Sequence, residues 1–328
     1  GVVSMAHSRT RRFLAAMLSM MVLLLTACGT KTETQMEGES GVAGAETITV
    51  HHALGTTEVP VNPKRVVVFD FGILDTLDKM GVEVVGVPKT DLPPYLEKYA
   101  DDKYKNVGSL KEPDLEKISA LAPDLIVISA RQADYYEELS GLAPTVYLGL
   151  DFIRYWDSFE ENMRTVAAIF DKKDWMEQEL AQIQQKVAAV REKAGALDGK
   201  GLIVLVTGGK ISAYGPGGRF GMIHDVLGVA PADANIEAST HGMSVSLEYI
   251  AEKNPDFLFV IDRDQAIGTA EPGQSAAQVL DNALVHGTKA YQNGKVIYLD
   301  PSYWYLSGGG LVSTAAMVDE VARGLGLN

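Results

Sequence analysis

Between Lys172 and Ala194 the apolar residues fall at Met176, Leu180, Ile183, Val187 and Val190, spaced four, three, four and three apart, while Gln and Glu fill the other faces. That is the stripe of one α-helix, and at 1.5 Å per residue it would reach roughly 30 Å, the width of a small domain. No Gly or Pro interrupts it before Gly195, a stop signal, and Asp171 or Asp174 is placed to cap its start. The pattern predicts a helix long enough to cross from one domain to another.

The same motif is written on both sides of that helix. Before it the chain runs Asp114-Leu-Glu-Lys-Ile118, then Pro123-Asp-Leu-Ile-Val-Ile128, then Arg131; after it come Ser246-Leu-Glu-Tyr-Ile250, Pro255-Asp-Phe-Leu-Phe-Val260 and Arg263. Leu115 and Leu247, Glu116 and Glu248, Pro123 and Pro255, Asp124 and Asp256, and Arg131 and Arg263 are each 132 positions apart, without a gap. Two copies are too few for a solenoid and suit two similar α/β lobes.

Elements on either side fit that reading. Short strands are expected at 48–50 and 57–61 around a Gly55 turn, then at 66–69, 82–87, 125–129 and 145–148, alternating with helical stretches at 71–80, 115–121, 135–142 and 156–170. After the spanning helix come strands at 201–207, 257–261 and 295–299 and helices at 220–227, 247–252, 278–282 and 311–324. Strands alternating with helices describe central sheets covered on both faces. The expected fold is therefore α/β, with two similar lobes joined by one long helix and a ligand cleft between them, since pockets favour such interfaces. The expected divisions are an N-terminal lobe at 47–171, an interlobe helix at 172–195 and a C-terminal lobe at 196–328.

The first 46 residues follow a different pattern. Met5 is the expected start; Arg9, Arg11 and Arg12 precede an apolar run from Phe13 to Thr26, too short to span a bilayer comfortably, so residues 5–28 read as a secretory signal. It ends Leu25-Thr26-Ala27-Cys28, and Cys28 is the only cysteine of the chain. A lone thiol makes no intramolecular disulfide, and in an exported protein it is an odd residue unless modified. Residues 29–46, rich in Gly, Glu, Ser and Thr, read as a flexible tether. The chain has 328 residues, 46% of them apolar, which is ample for two cored lobes. A net charge of −14 with no basic block argues against nucleic acid. An anionic ligand would need a local basic site.

Several motifs together carry a resemblance: Ser129-Ala-Arg131-Gln-Ala-Asp134, Gly215-Pro-Gly-Gly-Arg219-Phe-Gly221, Ser239-Thr-His241-Gly242, Val260-Ile-Asp-Arg263 and Trp304-Tyr305-Leu-Ser-Gly-Gly309. From about Glu46 to Leu327 the chain resembles the solute-binding lipoproteins of ABC importers of the helix-hinged class, which bind ferric siderophores, haem and cobalamin. Within them it resembles most the binders of catecholate siderophores such as petrobactin. The Leu-Thr-Ala-Cys28 segment resembles a bacterial lipobox, which implies lipidation at Cys28 and a protein tied to the outer face of the cell membrane. By motif, the resemblance makes Arg131, Arg219 and Arg263 the residues that converge on catecholate oxygens, with Trp304 beside them. The chemistry suits the assignment: a ferric catecholate is a polyanion, and guanidinium is a permanently charged planar fork able to give paired hydrogen bonds. His241 and Tyr305 resemble the pair that completes iron coordination when a siderophore offers only four donors, and phenolate is a hard oxygen ligand suited to ferric iron. Otherwise His241 is a loop residue and Tyr305 a packed aromatic.

The repeated acids Glu116 and Glu248 match the family's glutamates that dock on arginines of the two permease subunits. They also sit where negative charge favours a helix start, behind Asp114 and Ser246 as N-caps. The resemblance implies a monomer with no permanent cofactor, whose ligand is an Fe(III)-siderophore complex. An enzyme fits poorly. Val204 and Ile211 break a phosphate loop around Gly208-Gly-Lys210, Phe220 breaks a dinucleotide fingerprint, and neither a nucleophile elbow nor a His-Glu-x-x-His pair occurs. A divalent-metal carrier is a nearer rival, yet His51, His52, His224, His241 and His286 lack ligand spacing. Haem or cobalamin on the same fold is the leading alternative.

Overall fold

A computed structural model describes residues 46–327; the expected signal at 5–28 with Cys28, and the tether up to residue 45, lie outside them. Runs of Val, Ile and Leu without polar alternation form strands buried on both faces, and such strands assemble in parallel under covering helices. In the first lobe a hairpin of β1 (Thr47–His52) and β2 (Gly55–Pro60) precedes a parallel sheet of β3 (Val66–Val68), β4 (Gly86–Val87), β5 (Lys105–Asn106), β6 (Leu125–Ile128) and β7 (Thr145–Tyr147), ordered β5-β4-β3-β6-β7. Val66, Val68, Leu125 and Val127 face one core, and Val67, Ile126 and Ile128 face the other.

The second lobe contains β8 (Lys200–Thr207), β9 (Lys210–Tyr214), β10 (Ala230–Pro231), β11 (Met243–Val245), β12 (Phe257–Asp262) and β13 (Val296–Tyr298). Their order is β11-β9-β8-β12-β13, with β10 beside β8. Here β8, β12 and β13 run parallel, β9 pairs antiparallel with β8, and β11 pairs antiparallel with β9. The β8–β9 hairpin was not expected. Its turn is Gly208-Gly209, with φ of 55° and 76°, the left-handed pair that a tight hairpin of two residues demands. The pattern that fails as a phosphate loop is thus a turn. The helix expected at 220–227 is shorter, Met222–Asp225, because the glycine-rich stretch before it winds as a loop. That expected at 135–142 divides into a 3-10 segment, Ala130–Tyr135, and a helix, Tyr136–Ser140.

The repeat has a structural reason. Asp114 accepts from the Lys117 amide and Ser246 from the Tyr249 amide, so each copy caps a seven-residue helix, Leu115–Leu121 or Leu247–Lys253. Ile118 and Ile250 bury the same helical position, both at 0% exposure. Ala122 and Asn254 end the two helices at φ of 46° and 44°. The aspartate of each Pro-Asp then ties down the neighbouring parallel strand: Asp124 accepts from the Lys64 and Arg65 amides at 2.7 and 2.8 Å, and Asp256 from the Lys200 amide at 2.9 Å.

The spanning helix, Lys173–Gly195, runs from one core into the other. Met176, Leu180 and Ile183 are buried in the first lobe, Val190 and Ala194 in the second, and Val187 packs against both. Neither expected aspartate caps its start; Asp171 instead makes the turn into it at φ 55°. The final helix, Leu311–Gly324, also crosses: Leu311 lies in the first core, and Met317, Val318 and Val321 in the second.

A polar clamp holds the start of that last helix to the first lobe. From the helix Phe71–Met80, Asp75 accepts from the Val312 and Ser313 amides at 3.2 and 3.0 Å, and Thr76 Oγ1 from the Leu311 amide at 3.1 Å. The Tyr95 hydroxyl donates to Asp75 at 2.7 Å. Gly310 permits the approach, because a Cβ there would lie 2.4 Å from the Gly72 carbonyl oxygen. Burial pushes the Asp75 carboxyl up to about 7, against the pull of Tyr95 and the two amides. Between its ordinary value of 3.8 and about 7, the folded chain keeps a proton that the unfolded chain has released. Stability therefore falls as pH rises through that window, by on the order of 4 kcal/mol over its full width. The stability of the wild type relative to Asp75→Asn should accordingly decline between pH 5 and 8 in urea melts, and a difference independent of pH would contradict the clamp's titration.

Candidate functional site

Three segments far apart in sequence deliver the arginines. Arg131 follows β6 in the 3-10 turn, which Gln132 fixes: it accepts from the Ser129 amide at 3.0 Å and donates to the Leu110 carbonyl at 2.6 Å. Arg263 directly follows β12, and its neighbour Asp264, 4% exposed, accepts from Thr207 Oγ1 at 2.8 Å and the Gly208 amide at 2.7 Å. Both positions lie beyond the carboxyl ends of central strands, where open α/β sheets bind ligands. Arg219 ends the Gly215–Arg219 turn. Gly217 has φ 73° there, its amide donates to Asp225 at 2.6 Å, and the Arg219 amide donates to the Ser239 carbonyl at 3.1 Å.

All three meet on Tyr305. Arg131 Nη2 and Arg219 Nη2 donate to its backbone carbonyl at 2.7 and 2.9 Å, and Arg263 Nε donates to its hydroxyl at 2.7 Å. The guanidinium carbons stand 5.3, 4.4 and 5.4 Å from the Tyr305 ring centroid, in the range of cation–π attraction. Tyr305 belongs to a π-helical turn, Ser302–Leu306, that packs against both cores. Such turns are rare and concentrate at functional sites. Burial, then Arg131, lowers the pKa of Arg219 below the usual guanidinium value. On Tyr305 burial acts upward, but the Arg263 hydrogen bond and the three cations outweigh it and leave the phenol more acidic than an ordinary tyrosine.

A cavity of about 610 Å³ opens onto this cluster, within the range of small-molecule sites. The first lobe lines it with Asp70, Ser129, Arg131 and Tyr147, and the second with Arg219, Trp304 and Tyr305. Trp304 is 3% exposed. Arg263 lies outside the lining and acts on it through the Tyr305 hydroxyl. His241 is exposed and outside the lining as well, although its neighbours Ser239 and Thr240 belong to it. Glu116 and Glu248 are exposed first-turn residues of the paired helices, away from the cavity wall. Among the described residues no group of three or more His, Cys, Asp or Glu side chains is arranged to hold a metal ion.

Residues 66–303 match the periplasmic binding protein family. The chain belongs to that family. It is 52% identical over 307 residues to the petrobactin-binding protein YclQ of Bacillus subtilis, covering 92% of this chain and 95% of the relative. It is 34% identical over 321 residues to the ferric-anguibactin-binding protein FatB of Vibrio anguillarum, covering 96% and 98%. The crystal structure of YclQ superposes with a TM-score of 0.83 at 56% identity, covering 85% of this chain and 99% of that one. That of the periplasmic catecholate-siderophore binding protein VctP of Vibrio cholerae superposes with 0.81 at 36% identity, covering 85% and 100%. The likeness to these siderophore-binding proteins places the chain among the extracytoplasmic solute-binding proteins of ABC importers.

Family motifs pointed to the arginines and Tyr305, but not to the rest of the cavity lining. Asp70, Tyr147 and Tyr155 were missed. A signal for Asp70 was available, because it directly follows the buried run Val66–Phe69 at a strand end. The lowered Tyr305 pKa gives a spectroscopic expectation: ultraviolet difference titration of the wild type against Tyr305→Phe should show one phenol ionising below the range of the remaining tyrosines. A Tyr305 no more acidic than free tyrosine would contradict the described cluster.

Proposed function

We propose that the protein is a lipid-anchored extracytoplasmic receptor that binds a ferric catecholate siderophore of petrobactin type and hands it to an ABC importer. The observation that carries this reading is the gathering of Arg131, Arg219 and Arg263 on one tyrosine at the wall of an interlobe cavity. Tyr305 engages one donor of each guanidinium through its carbonyl and hydroxyl oxygens. Catecholate oxygens carry more negative charge than either, so the bound chelate takes over the Arg131 and Arg219 donors that face the cavity. Arg263 stays on the Tyr305 hydroxyl and holds the phenol toward its ionised form. Should the siderophore leave two iron positions open, Tyr305 supplies a phenolate, and His241, next to the lining residues Ser239 and Thr240, is the candidate to supply an imidazole.

Anchoring through Cys28 fits an importer's receptor, since a lipidated cysteine keeps the protein at the membrane. The names of the relatives, which include binders of petrobactin and anguibactin, support the siderophore class. Haem and cobalamin are the alternatives on this fold, and neither calls for three cations around one dense anionic centre.

Tryptophan fluorescence should be quenched by ferric petrobactin or a ferric bis-catecholate, with Trp304 in the lining as the main reporter. Alanine at Arg131 or Arg219 should weaken binding by about ten- to a hundredfold, the scale of one lost charge-assisted hydrogen bond or two. Tighter binding of haemin or cobalamin than of any ferric catecholate would overturn the ligand class. Replacing both Glu116 and Glu248 with Ala should leave siderophore affinity intact and abolish iron uptake in cells, because these exposed acids are the proposed permease contacts. Undiminished uptake would remove that role.

A further inference from the structure

Ile153 lines the cavity and is nevertheless 76% exposed, whereas the other exposed large apolar side chains among the described residues stand at 37% to 51%. Its backbone is fixed. The Arg154 amide donates to the Asp151 carbonyl at 3.0 Å and the Ile153 amide to Asp151 Oδ1 at 3.1 Å, which closes a turn, and the Asp151 amide donates to Ser158 Oγ at 3.0 Å. Its apolar neighbours already serve the cores, since Leu150 packs against both and Phe152 against the second. Such turns are usually filled by Gly, Asn, Asp or Ser, so the fold gains little from an isoleucine held out there. A single exposed apolar residue is ordinary on a protein surface. One fixed in the lining of a cavity is placed to meet what the cavity takes.

Opposite Ile153 the second lobe offers small residues. A Cβ on Gly217 would stand 4.0 Å from Ile153 Cγ1 and 3.2 Å from the Ala238 Cβ, and Gly217 and Ala238 both belong to the lining. The turn of Gly217, at φ 73°, ends at Arg219, whose guanidinium donates to the Tyr305 carbonyl beside that of Arg131. An apolar rim from the first lobe thus lies next to a charged wall. A ferric catecholate has the same polarity, because its oxygens converge on the metal and its ring carbons splay away from it. With the oxygens on the arginines, the ring edges point outward to the rim. Covering them there removes apolar surface of both partners from water and screens the ion pairs behind it from solvent.

We propose that Ile153 is a ligand-contact residue that covers the aromatic edge of the bound chelate and slows its escape. The contact rests on the siderophore reading above and adds to it a determinant of residence time. The arginines then read the charge of the chelate and Ile153 its rings.

The test follows a ferric bis-catecholate binding to the full-length protein by stopped-flow tryptophan quenching, which gives association and dissociation rates separately. Ile153→Ser should weaken binding by about five- to tenfold, the scale of covering most of one aliphatic side chain, with the loss falling on dissociation. Ile153→Leu should keep the wild-type rates within about twofold, because it restores apolar bulk. Urea midpoints of both variants should match the wild type, since the residue lies outside the cores. Unchanged dissociation in Ile153→Ser, a loss that Ile153→Leu shares in full, or a loss accompanied by a lowered midpoint would overturn the contact while leaving the siderophore reading in place. A wild type that binds no ferric catecholate would overturn that reading and the contact with it.

Discussion

Guanidinium groups repel one another, and the repulsion grows as they leave water. Tyr305 offsets it by giving three of them something to share, namely a carbonyl oxygen for Arg131 and Arg219, a hydroxyl for Arg263 and a ring face for all three. The arrangement gathers the donors on one residue, which limits the side-chain ordering that binding requires. It also joins the lobes chemically, because Arg131 comes from the first lobe and Arg219 and Arg263 from the second.

That junction depends on where the Tyr305 segment lies. The turn Ser302–Leu306 sits at the seam of the two cores and leads through Gly308–Gly310 into the last helix, whose first amides are held by Asp75 and Thr76 of the first lobe. Ser307 Oγ donates to the Ser302 carbonyl at 2.8 Å and lies 2.8 Å from the Tyr95 hydroxyl, which also holds Asp75. The segment is thus pinned from below by the clamp and from above by the arginines. Two helices crossing from core to core supply the rest of the register between lobes, through Met176 and Leu180 at one end of the spanning helix and Val190 at the other. A rigid junction of this kind favours a cavity with fixed walls.

The internal repeat makes a symmetric frame and an asymmetric site. Helix caps, left-handed helix ends and strand-tying aspartates recur at the same offset in both lobes, and so do Arg131 and Arg263. The symmetry ends at the cavity. Arg131 lines it directly, whereas Arg263 works through a phenol, and the third cation, Arg219, comes from the glycine turn that follows β9. The first lobe contributes Asp70 in turn. A frame of equal halves therefore holds an unequal site.

Local patterning determined much of this chain. The 4-3-4-3 stripe dictated the spanning helix, because a helix that must bury one face in two successive cores needs an unbroken apolar line. The duplicated Asp/Ser caps and Pro-Asp turns dictated two like lobes, because capping and strand tethering depend on residues close in sequence. Motif resemblance then pointed to the three arginines and Tyr305. The pattern reading did not reach the β8–β9 pairing, the π-turn, the Asp75 clamp or the place of Asp70 in the cavity lining. The β8–β9 hairpin and the π-turn are local, the former marked by its Gly208-Gly209 pair, whereas the clamp depends on contacts across hundreds of residues: Asp75 to Ser313 spans 238 positions. Burial of a charge, the pKa of a phenol and the choice of which residues share a cavity are set by what tertiary packing brings alongside, and no period along the chain encodes that.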